Sequence, residues 1–225
     1  MASQSLDDGK KEEKKKIEEV LKMKNKRLMG IIGLIAAAVI GTAIYSATAG
    51  KDNKAASSNE KAKVGVLQLV SHPSLDLIYK GIQDGLAEEG YDKDKVDIDF
   101  LNAEGDQNKV ATMSKQLVDK DNQVLIGIAT PSAQGLASAT KDKPIVMGAI
   151  TDPVGAKLVK DLKKPGGNIT GVSDHNPTEQ QLKLIKELTP NVKTIGVLYS
   201  TSEDNSKSQV EEFTKLAEKA GYKVV

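Results

Sequence analysis

Cysteine and tryptophan are absent from the 225 residues, phenylalanine occurs twice, tyrosine five times and histidine twice. Without cysteine there is no disulfide framework, no Cys/His zinc module and no thiol nucleophile. Two isolated imidazoles, His72 and His175, do not make a metal site. No Gly-x-Gly-x-x-Gly or Walker loop is present for nucleotide phosphates, and no Gly-x-Ser-x-Gly elbow for a serine hydrolase. The net charge of +1, from 32 basic and 31 acidic side chains, lacks the broad positive footprint of a nucleic-acid binder. No cofactor is therefore expected, and no nucleic-acid partner.

What charge there is lies unevenly. Nine basic residues and six acids precede residue 28, and no charge at all falls between Arg27 and Lys51. The run from Leu28 to Ile44, extended weakly to Gly50, would as a helix rising about 1.5 Å per residue span roughly the 30 Å core of a bilayer. Lys24, Lys26 and Arg27 before it mark the cytoplasmic side of an export segment. Met23-Lys-Asn-Lys-Arg27 is itself an ordinary signal start, which makes Met23 an alternative to Met1 as the first residue. Ala47-Thr-Ala49 has the small-x-small spacing of a cleavage site, whereas the length of the apolar run suits a retained anchor. Residues 1–49 are thus read as cytoplasmic n-region plus signal or membrane anchor. Residues 50–63, with no apolar side chain larger than alanine, are read as a flexible tether. Everything after Ala49 is expected outside the cytoplasm.

From Val64 onward apolar strand runs alternate with helical periods. Val64–Val70, Lys95–Leu101, Gln123–Ala129 and Pro144–Ile150 read as strands. Between the first two, Leu75, Ile78, Ile82 and Leu86 form one helical face closed by Gly90; Val110, Met113 and Leu117 mark a second helix, and an Ala/Ser-rich helix follows Thr130-Pro131. This order predicts a parallel sheet with helices on both faces. After Pro165-Gly-Gly-Asn168 the pattern restarts. Thr178 and Gln181 have capping-box spacing, Thr194–Tyr199 reads as a strand, and a helix carrying Val210, Phe213 and Leu216 leads to Tyr222–Val225. Val64-Gly-Val-Leu is followed 22 positions later by Leu86-Ala-Glu-Glu-Gly-Tyr, and Ile195-Gly-Val-Leu 21 positions later by Leu216-Ala-Glu-Lys-Ala-Gly-Tyr. The repeat predicts two lobes with the same opening unit, lobe 1 over 64–172 and lobe 2 beginning at 173–225. If the second matches the first, roughly 100 further residues belong to it.

Ligands of open parallel sheets sit at the C-terminal strand ends. Here those ends carry Ser71, Ser74 and Asp76, then Thr130 and Ser132, then Asp152, and in the second lobe Asn205. Helix starts with hydroxyl side chains suit an anion such as a carboxylate, and nearby Asp side chains suit an ammonium group. An amino acid offers both, although N-caps and turns account for each residue singly.

Thr130-Pro-Ser-Ala133, Thr151-Asp-Pro-Val154, Pro165-Gly-Gly-Asn-Ile-Thr-Gly-Val-Ser-Asp174, Gln181-Leu-Lys-Leu184 and Ile195-Gly-Val-Leu-Tyr199 with Glu203-Asp-Asn-Ser206 resemble the substrate-binding proteins of bacterial ABC importers, above all the streptococcal-type tryptophan or aromatic amino-acid binding components. The resemblance spans residues 64–225. It implies an α/β fold of the type I periplasmic-binding-protein kind, two Rossmann-like lobes with parallel sheets, the second truncated, closing on a ligand between them. It also implies an amino-acid ligand, tryptophan or another aromatic, and delivery to a membrane permease with its ATPase. On this chain Ser71, Ser74, Thr130, Ser132, Asp152, Asp174 and Asn205 are the implied ligand-binding positions. Thr130 and Ser132 would hold the carboxylate, and Asp152 or Asp174 the amine. The chain departs from the family pattern in having no cysteine for lipid attachment, which leaves the N-terminal segment as its route to the membrane. With half the clamp missing, this length of chain alone should bind poorly.

Two other classes stand beside this reading. A membrane-tethered sensor ectodomain of the same fold would need a cytoplasmic signalling module, for which 27 residues leave little room. A small-acid isomerase would need an acid–base pair, and no histidine here has a motif context. The expectation is a binding protein and not an enzyme.

Overall fold

The computed structural model describes residues 61–225. The basic leader, the apolar run 28–50 and nearly all of the tether lie outside the described residues. Within them no helix is long and apolar enough to cross a membrane.

Period-two and all-apolar runs become a sheet of five parallel strands, β1 (Ala62–Gln68), β2 (Val96–Asn102), β3 (Val124–Ile128), β4 (Ile145–Ile150) and β5 (Ile169–Ser173), in the order β2-β1-β3-β4-β5. Between them run α1 (Pro73–Glu88), α2 (Gln107–Asp119) and α3 (Thr130–Ala139). The central strands are apolar on both faces because both are covered. Val64, Val66, Ile126, Ile128 and Val146 pack under Ile82 and Leu86 of α1. Leu67, Leu125, Ile145 and Met147 pack under Val110 and Leu117 of α2 and Ala133 and Leu136 of α3. The expected three-layer arrangement is therefore present, with one helix on one face and two on the other.

Past the first sheet come α4 (Thr178–Leu188), β6 (Thr194–Ile195), α5 (Asp204–Lys219) and β7 (Lys223–Val224). β6 and β7 pair in parallel, so this is a second βαβ unit.

Several details differ from the sequence expectation. β1 starts two residues early, at Ala62, whose N–H meets Lys95 O at 2.8 Å. It also stops at Gln68, where the Gln68 side chain donates to Val70 O (3.0 Å) and turns the chain toward α1. β5 follows the Pro-Gly-Gly-Asn loop directly, and a strand was not expected there; its partner β4 supplies the pairing. Thr178 is the first residue of α4 and not its cap. Pro177 takes the cap position and has no acceptor side chain, so Thr178 Oγ1 turns back to Asn176 O (3.4 Å). Only Thr194 and Ile195 of the expected strand 194–199 are regular, and among the described residues they pair with β7 alone. The ladder makes its last bond from Val197 N–H to Val225 O, at 2.9 Å.

The repeat is tighter than its 22- and 21-residue spacings suggest. Val64 and Ile195, Pro73 and Asp204, and Gly90 and Gly221 are each 131 positions apart, and α1 and α5 both have 16 residues. The partner of Leu86 is accordingly Ala217, and no insertion separates the two helices.

Candidate functional site

β1 leads through α1 to the edge strand β2, and β2 returns through α2 to β3 on the other face. The strands' neighbouring exits at β1 and β3 therefore diverge, and a crevice opens at their C-terminal ends. The polar residues of this edge are set by the turns that follow each strand.

On the β1 side Gln68 is 1 % exposed. Its Nε2 donates to Asp76 Oδ1 (2.7 Å) as well as to Val70 O, while its Oε1 is buried without a partner. Ser71 Oγ donates to the same carboxylate, 3.2 Å from Oδ2. α1 begins with Pro at its first position, where no N–H is missed, and with His72 Nδ1 accepting the Ser74 N–H (3.2 Å). Ser74 itself is exposed.

On the β3 side the chain reverses at Ala129, whose φ of 72° lies where side chains are strained. That bend starts α3 with no side-chain cap, which leaves first-turn N–H groups free to meet an acceptor. Gly127 permits it: a Cβ there would stand 2.6 Å from Ala133 Cα, so only glycine lets the first turn of α3 lie against β3. Thr130 and Ser132 are both buried, and Ser132 Oγ has no hydrogen-bond partner. A buried hydroxyl without a partner is costly, and few are found in a folded protein.

Beyond β4, Asp152 Oδ1 accepts the Gly155 N–H (2.8 Å) and closes its own turn. After β5, Asp174 is exposed and joined to the edge by its N–H to Ile150 O (3.3 Å). From the second unit, Gln209 Nε2 donates to Thr151 Oγ1 (3.3 Å) and Asp204 Oδ2 accepts from Gln134 Nε2 of α3 (2.9 Å). The start of α5 thus stands over the same edge. The Gln134 amide, helped by Lys207, holds the Asp204 carboxyl below the usual carboxylate range. Asn205, the next residue, has its Oδ1 buried and unpaired.

Ser71, Thr130, Ser132, Asp152 and Asp174 are therefore on one edge, with Asn205 at the helix start facing it. Ser74 lies at the outer start of α1. Gln68, Gln134 and Gln209 complete the edge and were not singled out from the sequence, whereas Asp76 was placed at the β1 end but given no role. Gln68 alone carried a signal there, as the one polar residue in the apolar run Val64–Val70. Tyr79 is not available for stacking on a ligand: its ring packs on Phe100 with centroids 4.2 Å apart, and burial raises its pKa. Among the described residues no three His, Asp or Glu side chains are grouped to hold a metal.

With this geometry in hand, comparison with known proteins finds matches along the whole described chain. The sequence model of the family described as ABC transporter substrate binding protein matches residues 63–225. A tyrosine-binding protein of Clostridioides difficile strain R20291 is 43 % identical over 203 residues, covering 87 % of this chain and 59 % of that protein. An ABC domain from Streptococcus pneumonia, solved in complex with L-Trp, is 76 % identical with a TM-score of 0.72, over 74 % of this chain and 56 % of the other. A conserved domain protein of Vibrio cholerae is 48 % identical, also with a TM-score of 0.72 and the same two coverages. The chain thus spans a little over half the length of these relatives. The fold is that of the periplasmic binding proteins, as expected.

Proposed function

The chain belongs to the ABC transporter substrate binding protein family, and we propose that it captures an amino acid, an aromatic one, at the β1/β3 crevice and performs no chemistry on it. The observation that carries this reading is that three of the four buried, unpartnered side-chain polar atoms among the described residues belong to this end of the fold, Gln68 Oε1 and Ser132 Oγ on the crevice and Asn205 Oδ1 at the helix start above it; the fourth is Ser114 Oγ on α2. A folded protein leaves few such atoms, and a polar ligand would satisfy them. Thr130, Ser132 and the uncapped first turn of α3 receive the carboxylate. Ser71, Ser74, Asp152, Asp174 and Asn205 form the remainder of the cleft. The L-Trp in the pneumococcal neighbour and the name of the clostridial relative support an aromatic side chain.

The protein works outside the cytoplasm, held at the membrane by residues 28–50 or released after Ala49, and delivers its ligand to a permease coupled to an ATPase. Calorimetry of the intact protein against the twenty amino acids tests the ligand class. Saturable binding of L-tryptophan or L-tyrosine is expected, and binding of none of the twenty overturns the reading.

A further inference from the structure

We propose that Asp76 and Gln68, at the end of β1 and the first turn of α1, form the subsite for the ligand's ammonium group. This assignment rests on the amino-acid reading above and narrows it, since the sequence pointed to Asp152 or Asp174 for that role.

The orientation of the Gln68 amide is dictated by its neighbours. Its Nε2 faces two acceptors, Val70 O at 3.0 Å and Asp76 Oδ1 at 2.7 Å, and only an NH2 group can face both. The other amide atom, Oε1, is then an acceptor on the same amide, next to the carboxylate, buried and without a donor. Asp76 receives donors from Gln68 and Ser71, and among the described residues no lysine, arginine or histidine pairs with it. The Asp76 carboxylate has no cationic partner and the amide oxygen of Gln68, which bonds it, has no donor; together they suit a group that is cationic and carries several N–H bonds. A primary ammonium, with three, meets that requirement.

The alternatives are less well placed. Asp152 Oδ1 closes a turn with the Gly155 N–H at 2.8 Å, and among the described residues no buried, unpartnered acceptor belongs to that turn. Asp174 follows β5, two strands away from the β1/β3 crevice. β1 and β3, in contrast, are direct neighbours, about 4.8 Å apart as in any sheet. Acceptors past the end of β1 and free N–H groups past the end of β3 thus follow neighbouring strands, as the two opposite charges of one amino acid require. Ser132 Oγ, 0 % exposed and unpaired, marks the anionic half of the same crevice.

The test compares each aromatic amino acid with its deaminated form on the intact protein: L-tryptophan against indole-3-propionate, and L-tyrosine against 3-(4-hydroxyphenyl)propionate, by competition at up to millimolar concentration. The readout is the affinity ratio within the better-binding pair. Asp76→Asn should lower that ratio at least about 30-fold, as expected when the charged partner of a desolvated ion is lost. Asp152→Asn and Asp174→Asn should leave it within about threefold. Asp76 is exposed, so the Asn variant is expected to fold; a change in its absolute affinity with no change in ratio would be structural and would overturn the assignment. So would a wild-type ratio near one, or a loss of ratio in Asp152→Asn or Asp174→Asn in place of Asp76→Asn. If the wild type binds no amino acid at all, the underlying reading falls, and the subsite with it. If it binds one and Asp76→Asn is silent, only the subsite falls.

Discussion

The units β1–α1–β2 and β6–α5–β7 start from the same local instructions and reach different degrees of order. Their helices have 16 residues each and end alike. Gly90 N–H meets Ala87 O and Tyr91 N–H meets Leu86 O, at 3.0 and 2.8 Å, while Gly221 N–H meets Glu218 O and Tyr222 N–H meets Ala217 O, both at 3.0 Å. β1, however, has seven residues paired with β2, five of them also paired with β3, and β6 has two residues paired on one side among the described residues. Ile82 under the first sheet is 1 % exposed, whereas Leu198 just beyond β6 is fully exposed. Helix length and closure follow from residues close in sequence; strand length and burial follow from neighbours.

The largest effect should come from removing equivalent core side chains. Ile82 of α1 and Phe213 of α5 are 131 positions apart, one buried and the other only half-buried. Ile82→Ala is expected to cost about 2–4 kcal/mol, within the range for a fully enclosed aliphatic side chain. Phe213→Ala should cost less per atom removed, about 1–2 kcal/mol in total, since the ring is only partly enclosed. Urea unfolding followed by amide exchange in each unit measures both. Equal losses would mean that the second unit is as well enclosed as the first.

A smaller contrast is expected at the equivalent glycines Gly65 of β1 and Gly196 just past β6. A Cβ on Gly65 would meet Asn122 Nδ2 and Leu125 Cδ2, each at 2.9 Å, whereas a Cβ on Gly196 would find nothing nearer than Val225 O at 4.0 Å. Gly65→Ala should therefore destabilise by about 1–3 kcal/mol through overpacking. Gly196→Ala should be neutral or stabilise by about 0.5 kcal/mol, because it restricts only the unfolded chain. A destabilising Gly196→Ala would show that β6 packs more closely than its open surroundings indicate.

The same division explains what could be read in advance. The four long strands, α1 through α3 and the repeat were legible because apolar periodicity and Gly-Tyr closures are local. β5 was not: Ile169-Thr-Gly-Val-Ser173 is short, contains glycine and follows a loop signal, and only pairing with β4 makes it a strand. At the site, the hydroxyls after β3 could be placed at a strand end, but the roles of single carboxylates could not. Asp76 looks in sequence like any acid in a first helical turn, where it would interact with the helix dipole. It takes the fold to bring Gln68 against it. Asp152 looked like a ligand contact, and the sequence did not show that its Oδ1 accepts the Gly155 N–H in a turn.

The most discriminating comparison is the one in which no difference is expected. Gly90 and Gly221 have φ of 84° and 90°, and both end their helices in the left-handed conformation that side chains resist. A Cβ on Gly90 would come no closer than 3.9 Å to any atom, that of Lys95 Nζ, and one on Gly221 would meet nothing within 4 Å. Alanine at either position therefore meets no packing obstacle, and its cost is that of the backbone alone, about 1 kcal/mol. Amide exchange in the last turns of α1 and α5 should show equal losses of protection, to within about 0.5 kcal/mol, for Gly90→Ala and Gly221→Ala. If Gly221→Ala cost much less than Gly90→Ala, the closure of α5 would itself depend on enclosure by neighbours, and the separation of local from tertiary causes would fail at the helices as well as at the strands.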